Sequence, residues 1–568
     1  MLGEKVQCVN TDAAFRASRG QTVPGEAPIA WPWPAGESSG STASSAEDSD
    51  QKPNNKPYNY RKKVKLSNKV IKRIRSIQRL YKPSVTIDHN VEIYGRLKTA
   101  ANPQQGPPVK ETVHVESDDA SQSEEPKEYE ATKALVKSIY RSATGGVFND
   151  ALWKRYVNKL SVICGTMKPA DICLVLYSFA KVRYKDQQLL KILSPLIVRH
   201  ISNLSCGGAA LILNAMKRLE LPNYDIIELA TNEICLKMDH ANLQDIALTA
   251  NALAFFSIYH QRFWNMLTKA ISLRHHQITP LQGSLLLAAL AKMDIRNPLL
   301  LRLLKDKLRP AVERSELAQE LLTLTYHSLA KLDFAAKSFY NACVEEFGRL
   351  LDEHPESIDT QSLVLYLYTA VCVLDLQHQT IEKSLKLLCK RKDVLTNYKA
   401  IKLKYVFDYL KYKQPAFVEN FDSDLNELKS KVQKYKLRKV SAIRRPGGLS
   451  RWSLEVSRML KAHNVHHARN IWLDYVHADM YIKGLKLVIK CAGPFSYYAM
   501  SNKLTVFSQI EVDTLVMKGF NVCLLPYFEW NALGTDKEKV QYLKKLGESY
   551  DGWDLQEPAE LPRRIDVT

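Results

Sequence analysis

Residues 177–184 read YSFAKVRY, and the same cadence returns as LNAMKRLE (213–220), ANALAFFS (250–257), AALAKMDI (288–295), HSLAKLDF (327–334) and, more weakly, YTAVCVLD (368–375). The equivalent positions Ala180, Met216, Ala254, Ala291, Ala330 and Val371 lie 36, 38, 37, 39 and 41 residues apart. A period near 38 that holds two amphipathic segments marks stacked helix pairs, because one pair alone cannot bury its apolar face. The recurring small residue lets two helices approach closely. Helical apolar periodicity runs through 128–434 with few strand signals, so an α-solenoid is expected there.

The residue after the small position is lysine in four of the six repeats: Lys181, Lys217, Lys292 and Lys331. Two readings stand. Lysine in a last helical turn complements the helix dipole and needs no ligand. The same lysines could also form a ladder of cations tracking a phosphate backbone, a ladder that Phe255 and Cys372 would interrupt.

Charge favours a polyanionic partner. Among 568 residues, 80 Lys and Arg face 60 Asp and Glu, a net charge of +20, which attracts nucleic acid and says nothing about fold. The ten cysteines are scattered through apolar segments without a CxxC and read as reduced core residues of an intracellular chain. The uncharged run 246–261 has 16 residues and includes Asn, His and Gln, and no uncharged run exceeds 17 residues, short of the roughly 20 apolar residues that span a bilayer. No membrane insertion is expected. Arg16 and Arg19 are accompanied by Glu4 and Asp12, which leaves only a weak mitochondrial presequence.

The flanks differ from the repeats. Residues 1–127 are rich in Pro, Gly, Ser and acids and are expected to be disordered, except that 60–83 carry ten basic residues and no acid. There Val70, Ile74, Ile77 and Tyr81 fall at helical spacing, giving a basic helix that serves as a solvated linker or as an RNA contact. A second basic segment, with Arg444 and Arg445 ahead of Pro446, Gly447 and Gly448, reads as a hinge over 435–452. Residues 551–568 form a tail.

Beyond Trp452 an apolar, helix-like run through Leu473 precedes two short β-rich runs around Lys483 and Gly484. A polar loop, a helical stretch over 506–518, Gly519 as its stop and the strand FNVCLL follow. Strand, strand, helix, strand is a small α/β arrangement, expected over 453–550. LVIKCAGPFSYY (487–498), NKLT (502–505), GFNVCLLPYFEWN (519–531) and YLKKL (542–546) together resemble the RAP domain, with its core at 487–546. This module is common in apicomplexan parasites and in organellar RNA factors of animals, algae and plants. Gly493, Pro494, Pro526, Tyr527, Glu529, Trp530 and Asn531 carry the resemblance. RAP domains typically follow octotricopeptide-like or heptatricopeptide-like helical repeats, the period read above.

The resemblance implies a mitochondrial matrix protein binding single-stranded organellar mRNA or rRNA among ribonucleoprotein partners. It also raises a nuclease question, because RAP domains are similar to the Vsr-like branch of the PD-(D/E)xK endonuclease fold. Asp479 would be the first-strand acid. The family's Glu-x-Asp-Gly-Pro reads Lys490-Cys491-Ala492-Gly493-Pro494 here, and its histidine is Ser496. One carboxylate beside a lysine is a poor ligand set for a hard cation. Neither a catalytic residue nor a metal or cofactor is therefore expected, and a metal-dependent RNA endonuclease or a mitoribosomal rRNA-binding scaffold remain the alternatives. Glu511 and Asp513 replace basic residues common on the family's next helix. His463, His466, His467 and His477 fit no common zinc spacing, and no P-loop, dinucleotide or GxSxG motif occurs. In PYFEWN, alternate aromatics are expected to cover the end of the sheet, with Tyr527 and Trp530 structural and Phe528 or Glu529 exposed for contact.

Overall fold

The computed structural model describes residues 127–548 apart from 335, 374–377, 392–394 and 436–450. The expected basic helix at 60–83, the disorder ahead of the repeats, Arg444 and Arg445 of the hinge, and the tail lie outside the described residues.

The described chain is mostly helical and ends in a small α/β module. Helices pair as α1 and α2 (Lys127–Thr144, Asp150–Ile163), α3 and α4 (Pro169–Val182, Gln187–His200), α5 and α6 (Cys206–Leu219, Tyr224–Leu236), and α7 and α8 (Leu243–Phe256, Gln261–Arg274). They continue as α9 and α10 (Pro280–Lys292, Pro298–Glu313), α11 and α12 (Gln319–Lys331, Lys337–Glu353), and α13 and α14 (Thr360–Val373, His378–Lys390). The last pair is α15 (Asn397–Lys413) with α17 (Ser423–Lys434), joined through the short α16 (Pro415–Glu419). The odd-numbered first members stack on one another as an A row, and the second members form a looser B row. None of these helices is long and apolar enough to cross a membrane.

The sequence cadence is a helix-ending signal. Arg183, Glu220, Ser257, Asp294 and Asp333 close successive A helices with φ of 50° to 57°, at spacings of 37, 37, 37 and 39 residues. After each, a bulky apolar residue donates its N–H to the carbonyl five residues back: Tyr184 to Phe179, Leu221 to Met216, Ile258 to Leu253, Ile295 to Leu290 and Phe334 to Leu329. This is the Schellman closure, in which the left-handed residue satisfies orphan carbonyls and turns the chain toward the next helix. Ala180, Met216, Ala254, Ala291 and Ala330, just inside it, are buried. At the other end, Asn149, Asp186, Ser205, Asn242 and Thr279 cap helix N-termini with their side chains.

The C-terminal module runs α18 (Arg451–Ala462), β1 (Ala468–Leu473), β2 (Val476–Ile482), β3 (Leu487–Ala492), α19 (Val506–Met517), β4 (Asn521–Pro526), α20 (Tyr527–Ala532) and α21 (Asp536–Gly547). Sheet order is β1-β2-β3-β4, with antiparallel pairs up to β3 and β4 parallel to β3, so α19 is the crossover such a parallel pair requires. The run read as helical through Leu473 is corrected. It breaks after Ala462 and becomes the edge strand β1, whose Asn470 takes φ of 53° and whose residues are mostly exposed, erasing the period-two signature. Val456, Leu460, Met480, Ile489, Leu525, Trp530 and Leu543 form a core of the module's own.

The module is docked on the A row. Lys518 bridges Asp408 (2.8 Å) and Asp474 (3.0 Å), Lys404 reaches Asp474 at 3.1 Å, and the Tyr475 hydroxyl donates to Asp408 at 2.5 Å. Further along, the Tyr498 hydroxyl donates to the Lys331 carbonyl (2.6 Å) and the Ala499 N–H to the Asp294 carbonyl (2.8 Å). Lys503 pairs with Asp333. Two of the left-handed turns that end A helices are thus also receptor points for the 497–504 loop.

Candidate functional site

Of the four cadence lysines, only Lys181 is fully exposed. Lys217 is buried and donates to the Asn251 side-chain oxygen of the next repeat at 2.6 Å. Lys292 is half-buried and sits 5.1 Å from the centre of the Phe255 ring in the preceding repeat. Lys331 reaches back to the Ala291 carbonyl at 2.5 Å and pairs with Asp294 at 3.0 Å. Lys217, Lys292 and Lys331 thus join neighbouring repeats, which neither a dipole complement nor an open ladder anticipates.

A fifth cation escaped the sequence reading because the cadence has faded by the last repeat. Lys402 of α15 is half-buried, 3.5 Å over the Tyr368 ring and 5.2 Å from Tyr398. His327 lies close by, its Nδ1 2.9 Å from the Thr369 hydroxyl. Burial pulls the ammonium groups of Lys217, Lys292 and Lys402 each down to about 7. Neighbouring cations add to the effect: Lys292 and Arg218 act on Lys217, and Lys331 acts on both Lys292 and Lys402. His327 is held well below its ordinary value by burial, then by Lys402 and Lys331.

On the sheet of the module, Asp479 is buried on β2 and its Oδ2 accepts the Cys491 N–H at 2.9 Å. Its Oδ1 lies 3.9 Å from Nδ1 of His477, whose Nε2 meets the Asn470 side-chain oxygen at 2.6 Å. Lys490 is not a lone charge repelling an ion, because Glu511 of α19 pairs with it at 2.5 Å and both are largely buried. The two departures from the family pattern, a cation on the strand and an acid on the helix, neutralise each other. Asp513 accepts from Gln509 at 2.8 Å, and burial raises its pKa.

The aromatic signature folds differently from the expected alternation. Pro526 pairs with Ala492 as the last rung of the sheet and then caps α20, so Tyr527 through Ala532 are helical. Trp530 is buried and donates from Nε1 to Glu455 at 3.3 Å. Tyr527 and Phe528 are half-buried, with ring centres 5.9 and 5.3 Å from Tyr497. Glu529 is exposed and accepts from the Tyr542 hydroxyl at 2.5 Å, and Asn531 is exposed. Phe528 is thus a packing residue more than a free contact.

The family model of the RAP domain matches residues 489–546, the span of β3, α19, β4, α20 and α21. The chain is a RAP-domain protein with helical repeats. Over the repeats, the family described as RNA-editing substrate-binding complex 6 protein matches residues 122–346. Comparison with curated proteins gives no match. Within the RAP domain, Gly493 and Pro494 lead into the short turn at 494–496. A Cβ on Gly493 would meet nothing within 4 Å, so close packing is not the reason for that glycine. Among the histidines, His467 is tied to Ser457 at 2.7 Å and His477 to Asn470, while His466 is exposed.

Proposed function

We propose that the protein binds single-stranded RNA along its helical repeats, without cutting it, in the processing, editing or stabilisation of mitochondrial transcripts. The observation that carries this reading is the match of residues 122–346 to a family named for RNA-editing substrate binding, on a chain of net charge +20. The buried Lys490–Glu511 pair supports a non-catalytic RAP domain, since it puts an ammonium group where a metal-dependent nuclease needs oxygen ligands. Placement in mitochondria follows the resemblance of the RAP signature to that of organellar RNA factors, and cell fractionation tests it.

The deciding experiment is filter binding of labelled single-stranded RNA to the full chain in EDTA across a salt series. Metal-independent binding that weakens steeply with salt is expected. No binding at low salt would overturn the proposal. Crosslinking in cells then separates messenger from ribosomal RNA.

A further inference from the structure

Resting on that RNA-binding reading, we propose that Lys292 and Lys402, beside the enclosed Lys217, form a phosphate-tracking strip on the A row, and that RNA engaging it takes protons from solvent. The geometry sets these three apart from other enclosed lysines. Lys331, Lys404, Lys490 and Lys518 each hold a carboxylate. Among the described residues, no carboxylate pairs with Lys217, Lys292 or Lys402, whose partners are an amide and aromatic rings.

The groups facing each one are also short of negative charge. Lys217 of α5 faces Asn251 on α7, Lys292 on α9 and its own neighbour Arg218. Lys292 faces Phe255 on α7 and Lys331 on α11, while the nearby acid Asp294 is engaged by Lys331. Lys402 faces Tyr368 and Cys372 on α13, Tyr398 on its own helix, and Lys331 and His327 on α11.

Enclosing ammonium groups without counter-ions is unfavourable, and a chain of phosphates supplies the missing charge. The strip passes from the fifth repeat to the eighth, and Lys292 lies two residues from the turn that receives the 497–504 loop. Lys292 and Lys402 retain partial exposure, so phosphates can reach them.

Proton uptake follows from the same arrangement. A lysine near 7 in the free protein is mostly neutral at pH 8. A phosphate beside it restores the ordinary value of about 10.4, so each lysine takes up close to one proton on binding.

Calorimetric titration of the full chain with oligouridine, repeated at pH 8 in buffers of different ionisation enthalpy, measures this directly. About two protons should be taken up at pH 8 and almost none at pH 6, and affinity should fall about 100-fold from pH 8 to pH 9. Lys292→Met and Lys402→Met, which keep the apolar stem, should each remove about one proton and about 0.7 from the log–log salt slope. Binding without proton uptake at pH 8, or uptake that persists in the Lys292→Met/Lys402→Met double variant, would overturn the strip and leave the RNA reading standing. Absence of binding at every pH would remove that reading itself.

Discussion

Replacing Lys490 with alanine strands Glu511 as an unpaired carboxylate. The two side chains are 9% and 14% exposed and 2.5 Å apart, so water cannot simply replace the ammonium group. Breaking a pair this enclosed costs about 3–5 kcal/mol, whereas replacing both charges by apolar groups of similar volume is about neutral or stabilising by up to about 4 kcal/mol. Lys490→Ala and Glu511→Ala should each destabilise the RAP domain, and Lys490→Met/Glu511→Leu should restore or exceed its stability. Native-state hydrogen exchange of the β3 and β4 amides reads the local free energy without requiring the whole chain to unfold in one step. Single losses below about 1 kcal/mol, or a double variant whose loss equals the sum of the singles, would show that the pair behaves like an exposed one and would refute the argument from burial.

Four further outcomes are expected. Asp408→Ala removes the acceptor shared by Tyr475 and Lys518 and should loosen the RAP domain from the repeats by about 1–3 kcal/mol, seen as faster exchange in α19 with β3 unaffected. Ser257→Gly relieves a left-handed non-glycine residue and should stabilise the repeats by about 0.5–1 kcal/mol, read as a raised melting temperature. For Lys292 and Lys402 the folded pKa lies below the unfolded one, so the unfolded chain binds more protons between about pH 7 and pH 10. Stability should therefore rise with pH across that window, and Lys292→Met should flatten the rise in a thermal-shift series. Labelled RNA incubated with Mg²⁺ or Mn²⁺ should stay intact, and cleavage lost in Asp479→Ala would show an endonuclease instead.

The repeats were legible because their strongest local constraint is periodic in the sequence. Most cycles place a small residue at a helix crossing and a lysine in the last turn, and a bulky residue follows the left-handed turn, as at Ala291, Lys292 and Ile295. β3, α19 and β4 were legible for a similar reason, since apolar runs and Gly519, at φ of 79°, punctuate them. What stayed hidden depends on contacts distant in the chain. Nothing near Asp294 or Asp333 announces that residues 497–504 will settle on them, and Lys402 carries no cadence. The Lys490–Glu511 pair, 21 residues apart, appears as two unrelated departures until β3 and α19 bring them together. β1 was missed for a local reason, because Asn470 interrupts its alternation.

The anchoring of the RAP domain at separated A-row turns has an elastic consequence. A stack of helix pairs flexes like a spring, each repeat adding a small bend and twist against its neighbour. Here the fifth and sixth repeats are held by the 497–504 loop, and the eighth by Tyr475 and Lys518. The domain therefore acts as a splint across the C-terminal half, and changes of pitch are confined to the first four repeats.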